Sequence, residues 1–193
     1  VSLARLERLI AIGGDRASLD RIARPGAALA IWWRHLPEPL RAALATLDLP
    51  GVGDLSVEVD ADRSVGPALR AVGYAGSALA LLAADIDLLV RRHAALTGED
   101  RLRVRLDVIE TDAGSRFQAG CGTLGLNCTY VGPGTEWCCV DGQDAICEVP
   151  TGAVGVFKGR ALLNPPEVLH RSPPIAANDG PRLVLSIDPP PDQ

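Results

Sequence analysis

The chain lacks any basic excess. Its 193 residues carry 19 Lys and Arg against 24 Asp and Glu, a net charge of −5 and a pI near 5.2. That balance argues against a general nucleic-acid binder, which presents a basic face to phosphates. No apolar run approaches the ~20 residues of a bilayer span, so no membrane partner is expected. The N-terminus has no basic region followed by an apolar stretch and a small-residue cleavage pattern, and a cytoplasmic location is the expectation. Gly-x-Ser-x-Gly, a P-loop, a dinucleotide fingerprint and His-Glu-x-x-His are all missing, and Gly132-Pro133-Gly134 is a tight turn too short to cradle a phosphate by itself. Lysine is almost absent: Lys158 stands alone among eighteen arginines, which with heavy Ala, Leu, Gly and Pro usage suggests a GC-rich bacterial genome. An even set of cysteines is lacking too. Cys121, Cys128, Cys138, Cys139 and Cys147 fit thiols or metal ligands better than a disulfide frame.

What is present divides into two textures. Residues 1–100 are rich in Ala, Leu and Arg and mainly helical in period. Ser2 to Ile12 reads as a short amphipathic helix ending at Gly13-Gly14, Ala28 to Arg34 as a strand, Pro37 to Leu47 as a helix with proline in its first turn, and Leu55 to Asp60 as a half-exposed strand. Ser77 to Leu96 is the longest helical segment, with Leu79, Leu82, Ile86, Leu89 and Val90 on one face. Residues 101–188 read as strands. Leu102, Val104, Leu106 and Val108 alternate with Arg103, Arg105 and Asp107; Leu124 to Val131, Glu136 to Val140, Ala153 to Phe157 and Arg182 to Ile187 follow between Gly, Pro and Asp turns. Short strands at this spacing after a helical block predict an antiparallel sandwich or barrel with helix 77–96 on one apolar face. The prolines of 189–193 make a tail that cannot continue a strand.

His170 closes a short apolar run and is followed, after a Pro/Asn/Gly turn, by a strand opening on Arg182. This order resembles the closing half of the double-stranded β-helix of iron/2-oxoglutarate oxygenases, where the histidine is a metal ligand and the arginine clamps a carboxylate. LAIWWRHLP (29–37), RLRVRLDVIETDA (101–113), TYVGPGTEW (129–137), PTGAVGVFKGR (150–160), HRSPP (170–174) and RLVLSIDPP (182–190) together resemble the bacterial family called domain of unknown function 1826. The resemblance supplies a pattern and no activity. Its usual element after TDA is Cys-Pro-Arg-Phe-His-x-Asp. Here only Arg116 and Phe117 match: Gly114 and Ser115 replace the Cys-Pro, Gln118 stands at the histidine and Gly120 at the aspartate. The fold implied is α+β, an N-terminal helical block (1–100) packed on a C-terminal cupin-like double-stranded β-helix barrel (101–188), as one integrated domain.

A facial triad of two histidines and one carboxylate holds Fe(II) and leaves positions open. With the His-x-Asp pair replaced, the candidate metal ligands are His170, Gln118 and Cys121, for a divalent Fe, Zn or Cu. Glutamine offers only a neutral amide oxygen. Glycine at 120 resembles the substitution in iron halogenases, but those keep both histidines. Adjacent Cys138 and Cys139 point to opposite faces of a strand, so at most one joins Cys121, Cys147 or His170. Cys128 shares a face with Leu124, Leu126 and Tyr130 and reads as core. Arg182, Val184 and Ser186 should face a pocket, with Leu183, Leu185 and Ile187 against the helices. Arg182 then binds an acidic small molecule bidentately, or pairs with Asp179 or Asp188; Glu136 and Lys158 are the other charged substrate-binding candidates. Two functions remain open. One is a metal-dependent oxidoreductase that does not run standard 2-oxoglutarate dioxygenase chemistry, so 2-oxoglutarate is not an expected cofactor. The other is a non-catalytic ligand-binding, partner or metal-handling protein with a degenerate metal site.

Overall fold

The Ser2 side chain accepts a hydrogen bond from the Arg5 N–H and so starts helix α1 (Leu3–Leu9). The helix stops where the backbone finds sheet partners instead. Ile10–Gly13 forms strand β1, parallel to β2 (Leu29–Trp32), with Ile10 opposite Leu29 and Gly13 opposite Trp32. The helix expected from Ser2 to Ile12 is therefore shortened and followed by a strand. Strand pairing buries Ala11, which a helix continuing into Gly13-Gly14 could not do as well. A 3₁₀ helix at Arg16–Ala23 joins β1 to β2. In this computed structural model residues 2–111, 116–142, 145–175 and 180–190 are described. Gly114, Ser115, Asp179 and residues 191–193 of the tail lie outside them.

The chain continues through α2 (Glu38–Ala45), β3 (Leu55–Asp60), α3 (Gly66–Ala71) and the long helix α4 (Gly76–Thr97), which Gly98 terminates in the left-handed conformation at φ +77°. Strands β4 (Arg101–Ile109), β5 (Leu124–Val131), β6 (Thr135–Cys139), β7 (Cys147–Val149), β8 (Val154–Lys158), β9 (Val168–Arg171) and β10 (Arg182–Asp188) complete it. Two sheets result. The larger runs β1-β2-β8-β5-β10-β4-β3 and the smaller β7-β6-β9. Every pairing among β4 to β10 is antiparallel, as the alternating segments predicted. Strands β2 and β3 fall at the strands expected over 28–34 and 55–60, β1 is unexpected, and the three extend the larger sheet at both ends.

Period-two alternation gives the larger sheet two unlike faces. Leu102, Val104 and Leu106 of β4, Leu126 and Cys128 of β5, and Leu183, Leu185 and Ile187 of β10 share one core cluster with Leu82, Ile86, Leu89 and Val90 of α4. Residues from both halves of the chain meet in that cluster. A second, smaller cluster joins Leu29 and Ile31 of β2 and Phe157 of β8 to Trp137, Cys139, Val149 and Val168 of the smaller sheet.

One charged network lies inside this packing. Arg34 donates to both carboxylate oxygens of Asp85 at 2.6 and 2.7 Å, and its Nε donates to the Gly152 carbonyl at 2.9 Å. Tyr130 donates to Asp85 at 2.7 Å. Helix α4, strand β5 and the chain after β2 are thus tied through one carboxylate. Removing one partner of a buried pair leaves an uncompensated charge. Asp85→Ala should therefore lower the unfolding free energy by about 3–5 kcal/mol, whereas Glu38→Ala, which breaks the exposed Arg41–Glu38 pair, should cost about 0–1 kcal/mol. Urea denaturation of the two variants measures both.

Candidate functional site

The two sheets flank an open cavity of about 780 Å³. Gln118, Gly120, Cys121 and His170 lie in its wall, joined by Phe157 of β8, Thr135 of β6 and the polar side of β4, β5 and β10. Gln118 and His170 exchange both backbone hydrogen bonds, at 3.0 and 2.9 Å, as an isolated antiparallel bridge that extends the smaller sheet. Residues paired in this way carry their side chains on the same face, side by side.

On its other flank His170 pairs with Trp137 of β6. Since both backbone groups of His170 go to Gln118, the Trp137 pair is the non-hydrogen-bonded kind, in which side chains stand closest. Trp137 Nε1 is buried without a partner among the described residues. The Phe157 ring reaches His170 from the opposite sheet, with centroids 4.4 Å apart and planes tilted by 35°. Among the described residues the His170 imidazole has no side-chain hydrogen bond. Burial holds its pKa down to about 4, so it is neutral at neutral pH and has a lone pair to offer.

The segment carrying Gln118, Gly120 and Cys121 is fixed by close backbone contact with the end of β8. Gly159 donates to the Thr123 carbonyl at 2.6 Å, Arg160 to Gly120 at 2.8 Å and Ala161 to Gly122 at 3.2 Å. A Cβ at 159 would sit 2.1 Å from the Gly122 oxygen, which explains glycine in the Lys158-Gly159-Arg160 motif. Position 120 is different. A Cβ there meets only the Gly159 Cα, at 3.8 Å, so a side chain has room.

Arg182 opens β10 with no exposed surface. Its Nε donates to the Pro133 carbonyl at 2.7 Å, its second terminal nitrogen approaches Thr129 Oγ1 at 3.5 Å, and Nη1 has no partner among the described residues. Burial lowers its pKa against the opposing influence of Glu148 and Glu136. Gly132, at φ +82°, packs over it so closely that a Cβ would lie 2.7 Å from Arg182 Cγ. The first two positions of the Gly-Pro-Gly motif therefore serve the arginine rather than a phosphate.

The structure brings Gln118, Cys121 and His170 to one wall, while Arg182 lies outside it, paired with the lining residue Ile109 and two positions from Val184. Val184 and Ser186 face the cavity and Leu183, Leu185 and Ile187 the core, as expected. Glu136 bonds Arg171 at 2.7 Å and Lys158 donates to the Arg24 carbonyl at 3.2 Å, and neither lines the cavity. Cys128, Cys138 and Cys139 are buried, Cys121 and Cys147 exposed, and all five are free thiols. No group of three or more His, Cys, Asp or Glu able to hold a metal occurs among the described residues. Sequence reasoning missed the cavity floor: Arg103, Arg105 and Asp107 of β4, Asn127 of β5 and Asp188 of β10. Its polar alternation was visible, but the same pattern describes a solvated strand.

A family model described as "Protein of unknown function (DUF1826)" matches residues 13–188. No curated protein matches the chain. Among solved structures it is similar to a Pseudomonas putida prolyl-4-hydroxylase at 17% identity and TM-score 0.49, covering 91% of this chain and 98% of that one. It is similar to a dioxygenase for auxin oxidation in rice at 18% and 0.46, covering 93% and 82%. A third likeness is to a C-terminally truncated Neurospora crassa protein in apo form, at 15% and 0.45, covering 86% and 83%. At these levels nothing about this chain's chemistry is taken from them.

The two buried imidazoles set a pH dependence. His93 of α4, with no exposed surface and Nε2 bonded to the Leu124 carbonyl at 3.2 Å, is also held down to about 4 by burial. Unfolded histidine titrates near 6.5. Between these values the unfolded state binds more protons, so stability is full above 6.5 and falls as pH drops towards 4. The loss should approach about 1.4 kcal/mol per pH unit per histidine. His170→Asn should remove about half of the slope between pH 6.5 and 5, measured by urea unfolding against the parent chain.

Proposed function

Because the chain belongs to the DUF1826 family, whose description assigns no activity, we propose a function from its own geometry: it binds an acidic small molecule in a cupin-like double-stranded β-helix, with Arg182 as the carboxylate anchor. The barrel reading is supported by strand order. Counting the segment at Gln118 as the second of eight, the first, eighth, third and sixth strands lie side by side in one sheet, and the second, seventh, fourth and fifth in the other, the alternation of a rolled double sheet.

The observation that carries the ligand reading is Arg182 itself. A guanidinium removed from water with no ion pair among the described residues, and with Nη1 unmatched, is costly unless an anion completes it. Its planar fork suits a carboxylate. Arg182 is fully buried outside the lining, so in this reading the acid reaches the fork by displacing Val184 and its neighbours from the cavity wall.

Fe(II) held by two histidines and a carboxylate does not fit these residues. His170 offers one imidazole, Gln118 a neutral amide and Gly120 nothing, and an anionic ligand contributes much of the hold on a hard cation. Non-catalytic ligand binding follows most directly. A metal-dependent enzyme is the second reading, favoured by the neutral, uncommitted His170 imidazole beside Gln118 and by the exposed Cys121 thiol in the same wall. A thiolate would turn metal preference towards softer ions such as Zn or Cu. Elemental analysis of protein purified without chelator or metal-affinity resin separates the two readings.

The parent chain should form no succinate from 2-oxoglutarate with Fe(II) and ascorbate, and should lose Fe(II) on gel filtration. Gln118→His with Gly120→Asp should raise Fe(II) affinity at least about tenfold, since position 120 has space for a side chain. Succinate, used as a dicarboxylate probe in calorimetry, should bind the parent and weaken at least about tenfold in Arg182→Gln. Equal binding to both would end the anchor reading, and robust 2-oxoglutarate turnover by the parent would show that the metal ligands lie elsewhere.

A further inference from the structure

We propose that the cavity floor holds a subsite for an α-amino-acid zwitterion, its carboxylate on Arg105 and its ammonium on Asp188. This rests on the cavity being a ligand site, and neither on a metal nor on Arg182.

The floor is a ladder of three rungs across β4, β10 and β5. Asp107 stands beside Val184 and Thr129, Arg105 beside Ser186 and Asn127, and Arg103 beside Asp188. Rungs lie about 6.8 Å apart along the strands. Gly125 is the next inward position of β5, and a Cβ there would come within 2.9 Å of Asp188 Oδ1. Glycine at 125 thus leaves the Asp188 carboxylate the space it occupies.

These charges influence one another without a close contact among the described residues. Arg105 and Asp188 approach only to 3.9 Å, with side chains 46% and 42% exposed, which is an ion pair too long for a hydrogen bond. Arg103 and Asp107 make no ion pair among the described residues. Ser186 donates to Asn127 at 3.1 Å, leaving the Asn127 amide N–H groups available. Partial burial raises the pKa of Asp107 and of Asp188, so neither carboxylate is fully solvated.

Arg103, Arg105 and Arg171 against Glu99, Asp107 and Asp188 give the lining no net charge, and this decides the class of ligand. A lone carboxylate drawn to Arg105 meets Asp188, and a lone ammonium drawn to Asp188 meets Arg105. A ligand with both groups separated by a single carbon satisfies both at once. It replaces one over-long pair with two charge-assisted hydrogen bonds, while Ser186 and Asn127 stand beside the same position.

The test is amide-shift mapping of the full chain with L-leucine, 4-methylpentanoate and 3-methylbutylamine, which share a side chain and differ in the charged groups. L-Leucine should shift amides in 103–107 and 186–188, and the acid and the amine should each bind at least about tenfold more weakly. Arg105→Gln and Asp188→Asn should each weaken L-leucine about tenfold with unchanged melting. If either variant fails to fold, the three-probe comparison on the parent decides alone. Absence of shifts on those strands, equal binding of all three probes, or full affinity in both folded variants would overturn the proposal. Succinate binding that depends on Arg182 is scored separately. Its failure with L-leucine still mapping to β4 and β10 removes the acid anchor only, and the converse removes the zwitterion subsite only.

Discussion

Everything in this molecule depends on the larger sheet keeping unlike faces on its two sides. Strand β10, between β5 and β4, sets Leu183, Leu185 and Ile187 under helix α4 and turns Val184, Ser186 and Asp188 to the cavity. A slip of one residue would exchange the two sets. The register that buries the core therefore also assembles the polar floor, and no separate device is required to place Arg105 beside Ser186 or Arg103 beside Asp188. The Asp85 carboxylate, bonded to Arg34 and Tyr130, locks the helix layer to the same sheet from the dry side.

The smaller sheet contributes position rather than bulk. His170 is held between Gln118 and Trp137 by backbone pairing and touched by Phe157 of the larger sheet. Glycines at 132 and 159 allow backbone to approach Arg182 and the Gln118–Gly122 segment where any side chain would collide. Both glycines belong to the motifs that resemble the family. Their purpose is steric: they let backbone pack against the buried Arg182 and against the segment that carries Gln118.

The strongly periodic parts of this fold were legible in the sequence. Gly76–Thr97 has a clean helical stripe, and alternation is clear over 124–128 and 185–188. The turn from α1 into β1 was not, because Leu9, Ile10 and Ile12 suit a helix face and a strand equally. Cys147–Val149 and Val168–Arg171 are too short for any period to show. Of the site, the pairing of Gln118 with His170 came only through resemblance, since 52 positions of chain separate them and no local rule links such residues. The charged floor escaped notice for a different reason. Alternation tells which residues leave the core, and it is silent on whether they enter water or a cavity.

Strands β1 and β2 lie beyond β8, and β3 beyond β4. Residues 101–188 cut out alone would expose the open backbone of β8 on one flank and β4 on the other, each a template for pairing with a second chain. Its flanks are sealed by the segment that precedes it. The N-terminal hundred residues are in this sense a built-in guard against aggregation, since their strands are part of the larger sheet itself.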